Sequence, residues 1–145
     1  MKALSLTQPW ASLVALQEKQ IETRSWATTY RGPIAIHASK GFPTWAKVLC
    51  QADKVFRDAL RRHGISHWQQ LPLGAVIATA NLEWCRQIDE QWPSLLRGDI
   101  SLQELDLGDY THGRYAWGLW GFSNVKLLRY PIPARGSLGL WEWTP

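Results

Sequence analysis

Cysteine is scarce in this chain, with Cys50 and Cys85 the only two among 145 residues. Two thiols set in apolar stretches cannot form a disulfide framework, so the fold must rest on a hydrophobic core, and a reducing compartment is implied. Long apolar runs are missing too: the best, Ala75 to Ala80, falls far short of the ~20 residues that a membrane span needs. Near the N-terminus Gln8 and Pro9 interrupt the apolar stretch, and Glu18 with Lys19 stands where a small-residue cleavage site belongs, so no secretory leader is read. These absences predict a soluble, cytoplasmic protein. Charged residues make up 19%, too few for a disordered chain, while 46% hydrophobic residues suffice for one core. Walker, dinucleotide-binding and nucleophile-elbow patterns are absent, which argues against nucleoside-triphosphate and α/β-hydrolase chemistry. His63 and His67 have the i, i+4 spacing of a metal pair, but Gly64 separates them and no adjacent Cys or carboxylate completes a site. Neither a metal nor a cofactor is expected.

What the chain has in excess is tryptophan. Ten indoles supply large flat surfaces that either fill cores or stack on ligands. Charge is segregated: residues 1–86 carry +6, residues 87–110 carry −5 and residues 111–145 carry +3, for a net +4. A basic body with an acidic insert offers a polyanion a directed field, yet the excess is too small for a protein that coats DNA.

Ala3 to Leu6 reads as a short strand, followed by a helix from Pro9 to about Glu18 with proline in its first turn. Ile21–Trp26 and Pro33–Ala38 read as two strands joined by a turn at Arg31-Gly32. Apolar spacing predicts one long helix from Thr44 to Arg62, stopped by Gly64. Its basic side chains Lys47, Lys54, Arg57, Arg61 and Arg62 form either a solvated face or a nucleic-acid contact. Gly74–Trp84 reads as a central strand buried on both faces. Gln87 to Gly113 is acidic and irregular, with one helical turn opening at Trp92-Pro93 and a candidate flap at Asp109, Tyr110, His112 and Arg114. Tyr115–Leu119, Val125–Tyr130 and Leu140–Trp143 read as closing strands. The pattern predicts a single α+β domain over residues 1–145: a small β-barrel of five or six strands with helices packed outside.

Reactive side chains concentrate in the N-terminal third. Glu22 and Arg24 share a strand face, and a sharp turn before the strand brings Lys19 to the same concavity. Such a group is either an exposed ion pair or a place for acid/base work. Trp10, Trp26 and Tyr30 flank it, as core residues or as a stacking platform.

The run Ser5-Leu-Thr-Gln-Pro-Trp-Ala11, then Lys19-x-x-Glu22-x-Arg24-Ser25-Trp26, Tyr30-Arg31-Gly32-Pro33 and Ile36-His37-Ala38-Ser39-Lys40, resembles the ASCH domain family. That family's signature is Gly-x-Lys-x-x-Glu-x-Arg, with Gln17 here at the glycine position. Gly108-Asp109-Tyr110, Tyr115-Ala116-Trp117, Pro131-Ile132-Pro133 and Gly136 to Trp141 are similar to the family's ending. The resemblance implies a PUA-like β-barrel that binds RNA or a nucleoside. Its cleft would be lined by Gln8, Trp10, Lys19, Glu22, Arg24, Trp26, Tyr30, Arg31, His37, Ser39 and Lys40, with an anion site at the start of the first helix. Glu22 repels bare phosphate, which favours a pocket for a base over a flat phosphate surface. Should the cleft react, Lys19, Glu22 and Arg24 carry the chemistry, as hydrolysis of a modified nucleoside or as RNA cleavage. Related bacterial proteins that hydrolyse N4-acetylcytidine carry a threonine nucleophile in a Lys-x-x-Thr pattern. Glu22 takes that place here, and Thr23 is expected on the opposite strand face. A third reading is a protein-interaction module whose contact is the acidic 89–109 segment.

Overall fold

The computed structural model describes residues 1–87, 101–108 and 118–145. Among the described residues six strands, β1 (Lys2–Leu6), β2 (Ile21–Arg24), β3 (Gly32–Ala38), β4 (Ala75–Gln87), β5 (Gly118–Pro133) and β6 (Leu140–Glu142), form one mixed sheet. Their order across the sheet is β2-β5-β4-β3-β1-β6. The described residues also form four α-helices, α1 (Trp10–Ala15), α2 (Thr44–Ala52), α3 (Lys54–Arg61) and α4 (Leu102–Asp106), with a 3-10 turn at Trp68–Gln70, and of these α1 packs on the sheet. Among the described residues no pairing joins β2 to β6, so the expected closed barrel is an open α+β sheet.

The apolar residues sort to two sheet faces by strand alternation. One face carries Leu4, Leu6, Ile34, Ile36, Ala78, Ala80, Leu82 and Trp120, and α1 lays Ala11, Val14 and Ala15 onto it. The opposite face is closed in part by Ala3, Ala35, Val76 and Trp143. A second cluster joins Leu13 of α1 to Cys50, Phe56, Leu60 and Leu71, and reaches Leu107 beyond α4. Helices α2 and α3 are thereby held against the N-terminal side of the cleft described below.

Four expectations change. β2 and β3 do not form a hairpin: β2 pairs with β5, while β3 lies between β1, to which it is parallel, and β4. The 25–31 connector is tied to β4, with the Thr28 N–H donating to Cys85 Sγ at 3.4 Å and Arg31 Nη2 donating to the Cys85 carbonyl at 3.1 Å. That crossing leaves β5 and β4 between β2 and β3.

The single long helix is two. Asp53 adopts an extended conformation (φ −84°, ψ 121°), and its side chain accepts from the N–H groups of Val55 and Phe56. Aspartate competes with helical hydrogen bonding and favours such caps, so it ends α2 and starts α3.

The first helix stops at Ala15 rather than near Glu18, and the described end of the expected Tyr115–Leu119 strand, Gly118 and Leu119, runs on through Val125–Tyr130 in one 16-residue strand. Asn124 (φ 49°) and shifts of register against β4 mark its bends without breaking it. The expected turn at Trp92-Pro93, the flap at Asp109, Tyr110, His112 and Arg114, and Tyr115 to Trp117 lie outside the described residues.

Candidate functional site

The site is built by the turn that follows α1. Gln17 takes φ 62°. Its N–H donates to the Val14 carbonyl, and the Glu18 N–H reaches back to the Leu13 carbonyl at 2.9 Å, the paired bonds of a Schellman motif. This is the position at which the ASCH signature places glycine, the residue that enters left-handed backbone without a Cβ penalty. The reversal swings the chain inward, so Lys19 is 1% exposed. Its Nζ lies 2.9 Å from Glu104 Oε1 on α4. The Glu104 carboxylate also accepts from the N–H groups of Gln20 (2.8 Å) and Ile21 (3.0 Å), so one acid fastens α4 to the start of β2.

Glu22 and Arg24 follow on one face of β2, opposite Trp120 and Gly118 of β5. Glu22 is buried, and its Oε1 accepts from the Thr23 N–H at 2.8 Å. Burial pushes its pKa above the usual carboxylate value, against the pull of Arg24, Lys19 and the Thr23 N–H, while Glu104 adds to the rise. Arg24 Nη1 donates to the Ser5 carbonyl at 3.1 Å, which fixes the guanidinium beside β1. Lys19, Glu22, Thr23 and Arg24 line one cleft of about 760 Å³ together with Trp10, Trp45, Asp53, Phe56, Asp106 and Leu107.

Aromatic rings form its edge. Trp10 donates from Nε1 to the Leu107 carbonyl at 2.7 Å and packs edge-on against Phe56. Trp45 tilts over Trp10 with ring centres 5.7 Å apart and is 63% exposed.

The remaining expected residues sit elsewhere. Gln8 is fully buried and caps α1, its Oε1 accepting from the Ser12 N–H at 3.0 Å. Together with the bond from the Ala11 N–H to the Thr7 carbonyl, this occupies amides that the expected anion site required. Trp26 packs edge-on against Trp120 and accepts its indole N–H through the backbone carbonyl. Tyr30 donates to the Pro33 carbonyl, and Arg31 holds the carbonyls of Thr28, Tyr30 and Cys85. His37 is buried on the other sheet face, with Nδ1 2.9 Å from Ser5 Oγ and Nε2 2.8 Å from the Ala134 carbonyl. A carbonyl only accepts, so Nε2 carries a proton and the ring staples β3 to the chain after β5. Ser39 bonds through its N–H to the Leu6 carbonyl, and Lys40 is exposed beyond β3 near Gly74. None of these seven lines the cleft.

Sequence reasoning missed Glu104, Trp45 and Asp53. Ser101-x-x-Glu104 has the spacing of a capping box, and the Glu104 N–H does donate to the Ser101 hydroxyl oxygen at 3.1 Å, so a helix start was signalled. Trp45 falls on the apolar period that predicts the helix from Thr44, and that period does not tell an exposed ring beside Trp10 from a buried one.

The ASCH domain model matches residues 4–114, and the chain belongs to the ASCH domain family, a PUA-like fold associated with RNA binding. The chain is 33% identical over 95 residues to activating signal cointegrator 1 of Mus musculus and of Homo sapiens. Those matches cover 63% of the chain and 16% of each relative, so the chain spans a small part of the curated relatives it matches. Among solved structures it is similar to ASCH from Zymomonas mobilis, with TM-score 0.53 and 19% identity over 91% of this chain and 72% of that one. A mutant of the same bacterial protein gives TM-score 0.51 at 20% identity, covering 91% of this chain and 72% of that one. At that identity the likeness concerns the fold.

Proposed function

We propose that residues 1–145 act as a single RNA- or nucleoside-binding ASCH domain in the cytoplasm, with the cleft taking a base. The observation that carries this reading is Trp45, 63% exposed at the mouth of a cleft floored by Glu22 and Arg24. An exposed indole is a stacking surface, and a carboxylate beside a guanidinium supplies an acceptor and donors for a base edge. Lys19 is matched by Glu104, and Glu22, Asp53 and Asp106 on the lining outnumber the remaining cation Arg24, so the cleft is acidic on balance and suits a neutral base better than a bare phosphate. Titration of nucleosides and short single-stranded RNAs, followed by tryptophan fluorescence and calorimetry, tests it. Trp45→Ala is expected to weaken binding by about 1 to 3 kcal/mol. Absence of binding at millimolar nucleoside and RNA would reject the reading.

The placing of Glu22 beside Lys19 and Arg24 in the cleft, with burial raising its pKa, favours a second reading, hydrolysis of a modified nucleoside, because such a carboxyl suits general acid/base work. Glu22→Gln would then lower turnover of an acylated nucleoside by about 10² to 10⁴ while binding survives. Wild-type protein that binds such a nucleoside and releases no acid would remove this alternative.

A further inference from the structure

Helix α2 presents an apolar stripe to solvent, with Trp45 63% and Val48 57% exposed and Ala52 exposed a turn later. Trp45 belongs to the cleft. Val48 and Ala52 line a second cavity of about 460 Å³ with Thr44, Lys47, Gln51 and Trp68. Residues three and four apart adjoin on a helix surface, so the second cavity begins where the exposed aromatic edge of the first one ends.

The two cavities differ in charge. In the cleft acids outnumber cations, whereas the second cavity has Lys47 and no acidic residue in its lining. Lys47 Nζ lies 4.4 Å from the centre of the Trp68 ring and 5.6 Å from that of Phe42, contacts that orient the ammonium without neutralising it. On α3 and just after it, by contrast, Lys54, Arg57 and Arg62 each lie beside Asp58 or Glu18. A strand leaving the cleft over Trp45 therefore meets an apolar ledge first and an uncompensated cation next. That sequence of surfaces matches a flanking base and its phosphate.

We propose that the outer face of α2 is a second nucleotide subsite, in which Val48 and Ala52 support the flanking base of a single-stranded RNA and Lys47 holds a phosphate of its backbone. The inference rests on the cleft reading and extends it from a single base to a strand.

The test titrates wild type, Lys47→Ala and Val48→Asp with a nucleoside and with a trinucleotide of the same base, at several salt concentrations. The trinucleotide is expected to bind about tenfold more tightly than the nucleoside. Each substitution removes most of that gain and leaves nucleoside affinity within about twofold. Lys47→Ala also lowers the slope of log affinity against log salt by about 0.7, the loss of one phosphate contact on a single strand. A trinucleotide that binds no tighter than the nucleoside overturns the subsite and leaves the cleft standing, as does a gain indifferent to both substitutions. Failure of wild type to bind either probe overturns the cleft reading, and the subsite with it.

Discussion

Gln17 holds a backbone conformation that costs a residue with a Cβ about 1 kcal/mol, and its side chain recovers little, ending exposed with a 3.4 Å contact to the Val125 carbonyl. Gln17→Gly removes that strain at the expense of more freedom in the unfolded chain, and is expected to stabilise by about 0.5 kcal/mol in urea denaturation. Destabilisation would mean that the side-chain contact outweighs the strain. The next residue governs acid behaviour. Glu18 accepts from Arg62 Nε and Nη2 at 2.9 Å each, from Gln103 Nε2 at 2.7 Å and faces His63 Nε2 at 3.0 Å. The Arg62 hydrogen bonds lead in lowering its pKa to about 2 from 4.5, against the smaller opposing effect of burial. A depressed folded-state pKa adds stability above the unfolded value, so this contribution is full above pH 4.5 and is lost as pH falls toward about 2. Denaturant midpoints measured between those limits should fall less steeply in Glu18→Gln than in wild type.

At the scale of elements, α4 is a five-residue helix too short to persist on isolated propensity, and it forms a cleft wall through its attachments. Gln103 donates to Glu18, Glu104 pairs with Lys19, and the Leu107 carbonyl receives Trp10. Removing one partner of a buried ion pair is strongly destabilising, so Lys19→Ala is expected to cost about 3 to 5 kcal/mol. Lys19→Met with Glu104→Leu should cost less than the single change, because both members of the ion pair are replaced together. Equal losses, read from urea midpoints, would show that the two backbone N–H bonds to Glu104 matter more than the ion pair. The Lys19, Glu22 and Arg24 grouping was legible because a turn and strand parity act over six residues. Glu104 was not, since it stands 85 residues from Lys19 and local pattern carries no information on that separation.

Across the whole molecule the strands were legible as β-branched segments, while their neighbours were not. Ile21 to Arg24 reads as a strand from its residues alone, yet its partner is Gly118 to Gly121, and a Cβ at Gly121 would overlap the Trp84 indole. Likewise the Asp53 break was within reach of capping rules, but a continuous apolar period across Thr44 to Leu60 concealed it. The same long separations give one structural feature a use. The amides of Gln20 and Ile21 are held by a carboxylate from α4. Their hydrogen-exchange rates therefore report when residues 101–108 leave the start of β2, independently of unfolding of β3 and β4. Ligand-induced slowing at these two amides would register closure of the cleft wall even where the rest of the sheet exchanges unchanged.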